Sequence, residues 1–165
     1  MTFTIRRPRP AELAPRGDLV VAAYDAIGAN EDDDEYVPVL RDVARRDREA
    51  AVLAAVDDET GALLGCVTYA PDGSNPWAEE LREGEATIRM LAVAPGAQGR
   101  GVGTALTAAC VERARADGRT AIFLHSLPIM VAAQRIYARL GFRRVPERDW
   151  PIDDFLLLGF VLELR

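Results

Sequence analysis

The sequence predicts an α/β (α+β) fold, in which a mixed sheet of about seven strands carries about four helices on its faces. Three observations support this fold class. Strand and helix patterns follow one another in the order β-α-α-β-β-β-α-β-α-β-β. Two strand patterns flank a turn at 58–61, as in an antiparallel hairpin. The segment 85–126 has the order strand, loop, helix, strand, which favours a right-handed crossover between two parallel strands at the centre of the sheet.

The chain begins with a predicted strand and a predicted helix. Alternating apolar and polar residues predict the strand at 3–6. Apolar residues recur at helical spacing over 12–29. Because Pro15 and Gly17 disfavour a regular helix, we expect its regular part to start near Asp18, a suitable N-cap.

The next segment is predicted to form a second helix and a hairpin. An acidic run at 31–35 precedes the helix, which we expect over 37–49. Apolar strands at 51–56 and 63–69 flank the turn and should pair as a hairpin. A loop with Pro, Gly, Ser and Asn then covers 72–84.

The second half of the chain contains the crossover and the closing strands. We expect a strand at 85–93, a helix at 101–117 that ends before Gly118, and a strand at 120–126. A further helix should follow Pro128, since apolar residues there recur at i, i+3, i+4 and i+7. Two closing strands are predicted at 142–145 and 155–164, on either side of a loop at 146–154.

Length and composition are typical of a soluble globular protein. The chain has 165 residues, which fits one domain over 1–165, with 49% apolar and 28% charged residues. The net charge of −6 argues against a nucleic-acid partner. No apolar run reaches the roughly 18 residues that span a membrane, and no signal peptide opens the chain. We therefore expect a cytoplasmic monomer or homodimer without a membrane partner.

The cysteine and histidine content argues against a disulfide framework and a metal site. Cys66 and Cys110 both lie in predicted secondary structure, as buried free thiols do in a reducing compartment. The chain has 1 histidine and no cysteine pair at metal-ligand spacing. No metal is expected.

The glycine-rich segment 90–106 has the layout of an anion-binding loop. An apolar strand leads into a loop with several glycines, and a helix follows at once. Glycine lets backbone N–H groups approach an anion, and a helix N-terminus adds free donors and a positive dipole end. The loop is therefore predicted to bind phosphate or pyrophosphate.

Two common phosphate motifs do not fit this loop. A Walker loop needs Lys and Ser or Thr where Val102 and Gly103 stand, so nothing would neutralise a γ-phosphate or hold magnesium. A dinucleotide fingerprint that starts at Gly99 needs a third glycine where Thr104 stands. The strand at 120–126 also carries no acidic residue for a ribose hydroxyl.

A third pattern does fit. The segment 98–103, QGRGVG, matches Q/R-x-x-G-x-G/A, and the segment 133–142, AQRIYARLGF, matches A-x-x-x-Y-x-[KR]-x-G-F. In both motifs and in element order the chain resembles the GNAT superfamily of acetyl-CoA-dependent N-acetyltransferases. The resemblance implies a mostly antiparallel sheet with a central parallel pair. The remaining alternative is a glycine loop that only turns the chain.

The resemblance implies acetyl-CoA as cosubstrate and assigns residues to it. The backbone N–H groups of the loop would bind the pyrophosphate, and the strand before the loop would bind the pantetheine arm in a gap beside the strand at 120–126. The implied cofactor-binding residues are Leu91, Ala92, Val93, Gln98, Gly99, Arg100, Gly101, Val102, Gly103 and Thr104. Arg100 is equally consistent with a solvated surface arginine.

Tyr137 is the candidate general acid. After an amine attacks the thioester, the departing thiolate needs a proton, and a phenol is a suitable donor. The alternative is that Tyr137 belongs only to the apolar stripe of its helix.

The sequence offers two candidates for the general base, Glu85 and His125, and does not decide between them. Glu85 shares a strand face with Thr87, where relatives commonly have Glu, and with Arg89. His125 ends the neighbouring strand and is of the type that exchanges protons near neutral pH. It could equally be a hydrogen-bonded strand-end histidine. Met130 stands where many relatives have an Asn that contacts CoA.

Family analogy places the acceptor between the loops at 30–36 and 146–154. The candidate substrate-binding residues there are Glu31, Asp34, Tyr36 and Trp150. The acidic side chains would attract a cationic amine, or they would only favour the N-terminus of the following helix.

The function expected is therefore acetyl transfer to a primary amine of a small molecule or peptide, by direct attack in a ternary complex. The alternative is a non-catalytic CoA-binding or sensing module on the same fold.

Overall fold

The computed structural model describes residues 2–29, 35–152 and 154–165, and in them one sheet contains eight strands. The strands are β1 Phe3–Arg6, β2 Ala51–Asp57, β3 Leu63–Ala70, β4 Glu85–Val93, β5 Ala121–Ser126, β6 Arg143–Arg144, β7 Trp150–Ile152 and β8 Phe155–Glu163. Their order is β1-β2-β3-β4-β5-β8-β6, with β7 paired to β8. Only β4 and β5 pair in parallel among these strands. The predicted mixed, mostly antiparallel sheet is confirmed.

Helices cover both faces of this sheet. They are α1 Leu13–Ala26, α2 Tyr36–Arg41, α3 Val43–Glu49, α4 Val102–Ala116 and α5 Val131–Arg139. Buried residues of α1, α2 and α3 pack with one face of the sheet, and buried residues of α4 and α5 pack with the other. The glycine loop, which leads into α4, therefore belongs to the α4 and α5 face.

The predicted helix at 37–49 is two helices in the structure. The backbone leaves helical geometry at Asp42, with φ −81° and ψ 63°. Its carboxylate accepts a hydrogen bond of 3.1 Å from the N–H of Arg45 and so caps α3. An Asp inside a helical pattern competes for backbone donors in this way, which divides the helix.

Helix α1 begins earlier than predicted and ends earlier too. It starts at Leu13 after a turn of 3-10 helix at 10–12, so Pro15 lies in the first turn, where a missing N–H costs no helical hydrogen bond. Gly17 lies inside the helix, at the point where α2 crosses it closely. A Cβ at Gly17 would lie 2.1 Å from the Arg41 carbonyl oxygen. The helix ends at Ala26, and Gly28 follows with φ +72°.

The segment predicted as the loop 146–154 contains a strand. After a turn of 3-10 helix at 146–148, β7 forms a short hairpin with β8, in which Trp150 faces Leu157. Pro151 disfavours a strand in the sequence, but β7 is an edge strand that pairs on one side within the described residues. The predicted strand at 142–145 is correspondingly shorter, at Arg143–Arg144.

The remaining elements follow their predictions closely. The hairpin of β2 and β3 has its turn at 58–61, where the Asp57 carboxylate accepts from the N–H groups of Glu59 and Thr60 at 2.8 and 2.9 Å. Helix α4 and strand β5 lie within one residue of the predicted bounds. None of the helices in the described part of the chain is long and apolar enough to cross a membrane.

Candidate active site

A cleft opens where the two parallel strands separate. The β4 and β5 backbones pair only at Glu85 with Ala121 and at Ala86 with Ile122. Beyond these pairs the strands diverge, as expected, and a cleft of about 740 Å³ lies between them. Its walls are 87–91 of β4, 124–130 of β5 and the following loop, and side chains of α1, α2, α5 and the β7–β8 hairpin.

A β-bulge reorients β4 inside this cleft. Met90 has φ +54°, and the pairing with β3 shifts by one residue between Cys66 and Thr68. Before the bulge, Ala86 and Ile88 pack on the α4 face; after it, Leu91 takes that face, and Met90 packs on the α1 face. The side chains of 85–93 therefore stop alternating between the two faces of the sheet at Met90. This residue holds a strained backbone conformation that non-glycine residues rarely adopt.

The glycine loop presents a group of unpaired backbone donors. Within the described part of the chain, no hydrogen bond is donated by the N–H groups of Gln98, Gly99, Gly101, Val102, Gly103 and Thr104. The first helical hydrogen bond of α4 joins the Ala105 N–H to the Gly101 oxygen at 2.9 Å. Six donors beside the positive end of a helix of 15 residues fit the oxygens of a pyrophosphate.

The three glycines of the motif at 98–103 have different structural roles. Gly99 and Gly101 have φ +79° and +78°, which side chains rarely adopt, and a Cβ at either would meet open space. A Cβ at Gly103 would lie 2.7 Å from Cδ1 of Ile136 in α5. Gly103 therefore lets α4 and α5 pack closely. Gln98 and Arg100 are exposed, and Val102 is buried in the core.

The residues predicted to bind the pantetheine arm lie at the end of β4. Leu91 lines the cleft. Both Leu91 and Val93 pack on the α4 face of the sheet. Ala92 lies opposite Cys66 in β3 and is buried on the other face.

Tyr137 lies in the cleft wall formed by α5. Its side chain is buried and contacts the rings of Phe142 and Phe160, with centroids 5.4 and 6.1 Å away. Burial raises the pKa of the Tyr137 phenol, so the hydroxyl stays protonated at neutral pH. It has no hydrogen-bond partner in the residues that the structure describes.

Glu85 is held in an ion pair with Arg148. The guanidinium binds both carboxylate oxygens, at 2.6 and 2.9 Å, and the Arg82 N–H donates to one of them at 2.8 Å. Burial alone would raise the pKa of the Glu85 carboxyl, but these hydrogen bonds outweigh it and hold the pKa below its usual value. Glu85 is not part of the cleft wall. This geometry favours a structural role.

His125 lines the cleft and has a defined tautomer. Its Nε2 lies 2.9 Å from the Arg148 carbonyl oxygen. Because a carbonyl only accepts, Nε2 carries the hydrogen, and in the neutral ring Nδ1 keeps its lone pair. Phe123 packs edge-on against the ring and Trp150 is tilted relative to it, with centroids 4.9 and 5.9 Å away.

The sequence patterns did not indicate Arg148. Its guanidinium binds Glu85 and packs over Phe123, with 3.5 Å to the ring centroid, while its carbonyl accepts from His125. Arg148 ends the short 3-10 turn at 146–148, and Glu85, Phe123 and His125 are distant from it in sequence, so no local pattern could identify it.

The predicted acceptor residues have different locations. Tyr36 lines the cleft and its hydroxyl accepts a hydrogen bond of 3.1 Å from Arg89. Trp150 contacts His125 but does not line the cleft. Glu31 and Asp34 lie outside the described residues. Asp149, an acidic residue of the predicted loop at 146–154, forms two hydrogen bonds with Arg144, at 2.7 and 2.9 Å.

Other cleft residues complete the geometry. Thr87 and Met130, which stand where relatives commonly have Glu and Asn, both line the cleft. No group of three or more His, Cys, Asp or Glu side chains that could hold a metal ion occurs in 2–29, 35–152 or 154–165.

Comparison with known proteins gives one family match and partial relatives. The model of the Acetyltransferase (GNAT) family matches residues 18–142. A mycothiol acetyltransferase of Mycolicibacterium gilvum (strain PYR-GCK) is 35% identical over 111 residues, which is 61% of this chain and 34% of that protein. The chain thus spans about a third of the length of the curated relatives it matches.

Solved structures share the fold at low identity. An acetyltransferase of the GNAT family from Staphylococcus aureus Mu50 has a TM-score of 0.74 at 14% identity and covers 99% of this chain and 100% of its own. The PaiA N-acetyltransferase from Thermoplasma acidophilum, solved in complex with coenzyme A, has a TM-score of 0.71 at 13% identity, with 96% and 98% covered.

Proposed function

The chain belongs to the Acetyltransferase (GNAT) family, and on that premise we propose that it transfers an acetyl group from acetyl-CoA to a primary amine. The amine attacks directly while both substrates are bound. Relatives named mycothiol acetyltransferase support acetyl transfer as the reaction. Since this chain spans only part of their length, they do not define its acceptor.

One observation carries the proposal. The unpaired N–H donors of Gln98, Gly99 and 101–104 lie in the loop and first helical turn that follow β4, and residues 87–91 of β4 line the cleft between the separated strands. The donors suit a pyrophosphate and the cleft suits a narrow pantetheine arm, so together they suit CoA. A loop that only turned the chain would need neither feature.

The glycine loop and strand β4 would bind different parts of CoA. Backbone N–H groups of the loop and of the first turn of α4 would hold the pyrophosphate. Leu91 and Val93 would hold the pantetheine arm through their backbone groups. Bound acetyl-CoA supplies the activated acetyl thioester.

We assign proton removal to His125. An ammonium must lose a proton before it can attack; His125 lines the cleft, and Nδ1 of its neutral ring has a lone pair that can accept this proton. The hydrogen bond to the Arg148 carbonyl holds the tautomer. Glu85 is left out of this role because Arg148 and the Arg82 N–H occupy its carboxylate.

We assign proton delivery to Tyr137. As the carbon–sulfur bond breaks, the sulfur takes a proton from the Tyr137 hydroxyl, and the phenolate takes up the proton that the amide nitrogen gives up. Burial raises the pKa of this hydroxyl, which keeps it protonated before the transfer. The hydroxyl is at the α5 wall of the cleft, on the same face as the glycine loop. Neither Cys66 nor Cys110 is placed for an acetyl-enzyme, since both are buried and burial raises the pKa of each thiol.

The test is thiol release from acetyl-CoA across a panel of primary amines, with CoA binding measured in parallel by calorimetry. We expect release that depends on the amine and CoA binding in a 1:1 ratio. Binding of CoA without release on any amine would support a non-catalytic CoA-binding module instead.

A further inference from the structure

The cleft has a second side, away from the glycine loop. Tyr137 and the loop belong to the face of α4 and α5, whereas Tyr24 of α1 and Tyr36 of α2 belong to the opposite face. Both tyrosines line the cleft, together with the β7–β8 hairpin. If CoA enters from the loop side, this opposite opening receives the acceptor. The inference below rests on the proposed function.

The charged groups in the walls of this opening neutralise one another. Arg89 binds Glu79 with 3.2 Å between Nη2 and Oε1, and it also donates to the Tyr36 hydroxyl and to the Trp77 carbonyl. Burial raises the pKa of both Tyr24 and Tyr36, so the two phenols stay uncharged. The described walls therefore present no net charge that would select a second cationic group.

The rim of the opening consists of large apolar side chains. Ile129 and Phe155 line the cleft while 49% and 53% exposed, and Ile152 lines it at 37% exposed. Leu157 lies beside them in the same wall. Apolar side chains this exposed around a single opening are the usual mark of a binding surface rather than of packing.

We propose that the acceptor is a primary amine joined to an aliphatic or aromatic group, and that this group packs on Ile129, Ile152 and Phe155. The amine points inward to His125, and the apolar group covers the rim. The chemistry is the same for a free alkylamine and for the apolar N-terminal residue of a peptide. Polyamines and aminoglycosides do not fit, because their further charges would meet this apolar rim.

The test compares the kcat/KM of thiol release along a series of amines at saturating acetyl-CoA. From ethylamine through butylamine to hexylamine we expect a rise of about threefold to fourfold for each added methylene. The kcat/KM for hexylamine should exceed that for 1,5-diaminopentane by about tenfold or more. The dipeptides Leu-Gly and Ser-Gly form a separate arm, which shows whether the apolar group comes from a peptide.

A substitution at the rim connects the preference to the site. Phe155→Ser should lower kcat/KM for hexylamine by about tenfold more than it lowers kcat/KM for ethylamine. Leu156→Ser is the matched control, because Leu156 is 44% exposed on the same strand but does not line the cleft. It should change neither value.

The outcomes separate the two proposals. If neither the amines nor the dipeptides release thiol, the proposed function itself fails. If thiol is released but spermidine or 1,5-diaminopentane equals or exceeds hexylamine, the function stands and the apolar acceptor is wrong. An equal loss in Phe155→Ser and Leu156→Ser would also overturn the assignment of the rim.

Discussion

At the scale of single residues, Arg148 distinguishes the two candidate bases. Its guanidinium occupies the Glu85 carboxylate, and its carbonyl fixes the hydrogen of His125 on Nε2. Residue type and strand alternation predicted both candidates equally. The structure distinguishes them through the contacts of Arg148, which is 63 residues from Glu85 and 23 residues from His125. Local sequence therefore could not decide between the two bases.

The substitutions His125→Gln and Glu85→Gln should therefore differ in kind. His125→Gln should lower kcat/KM by about a hundredfold or more, because the variant lacks the imidazole that takes the proton of the ammonium. Glu85→Gln should keep kcat/KM within a few-fold but lower the free energy of unfolding by about 3 kcal/mol, because it leaves Arg148 without its charge partner. Steady-state kinetics and urea unfolding measure the two effects.

The stability that Glu85 contributes has a defined pH dependence. Its carboxyl has a lower pKa in the folded chain than in the unfolded chain, so the contribution is present above the ordinary carboxyl range. The contribution is lost as pH falls through the pKa of Glu85 in the folded chain. Because Gln cannot titrate, the free energy of unfolding of Glu85→Gln should fall less over the same pH range. Glu163→Gln is the control, since Glu163 is 66% exposed in its pair with Arg143. Loss of turnover in Glu85→Gln at unchanged stability would make Glu85 the base.

At the scale of elements, the sequence predicts most helices and strands but misses those that depend on a local exception. Strand β7 was missed because Pro151 and its acidic neighbours are typical of a loop. The break between α2 and α3 was missed because Asp42 caps within a continuous helical pattern. The bulge at Met90 was missed because alternation cannot indicate an extra residue.

The contact between α4 and α5 gives a test at this scale. Gly103→Ala would place a Cβ against Cδ1 of Ile136, so we expect it to lower the free energy of unfolding by about 1–2 kcal/mol. Ile136→Val removes Cδ1. The double variant should therefore lose less than the sum of the two single losses, by about 1 kcal/mol in urea unfolding.

Gly96→Ala is the control for this cycle. A Cβ there would meet nothing within 4 Å, and Gly96 has no positive φ. Its free energy of unfolding should be unchanged or higher by about 0.5 kcal/mol. Additive losses in the double variant would show that Gly103 is not needed for the approach of α5.

At the scale of the whole molecule, the mostly antiparallel sheet, its parallel pair and the separation of that pair agree with the sequence prediction. The two motifs, at 98–103 and 133–142, lie on one face of the sheet because both precede or form helices of that face. Family analogy located the proposed acceptor opening between 30–36 and 146–154, but the side chains that line it could not be predicted in the same way. Its walls come from α1, α2 and the β7–β8 hairpin, which meet only in the folded chain.

The assignment of Tyr137 as proton donor is best tested by measuring the turnover of Tyr137→Phe together with its affinity for CoA. We expect a CoA dissociation constant within about twofold of that of the unsubstituted protein and a kcat lower by about a hundredfold. Tyr24→Phe, a second buried tyrosine of the same cleft, should keep both values. Turnover of Tyr137→Phe at the unchanged rate would contradict the assignment of Tyr137 as proton donor.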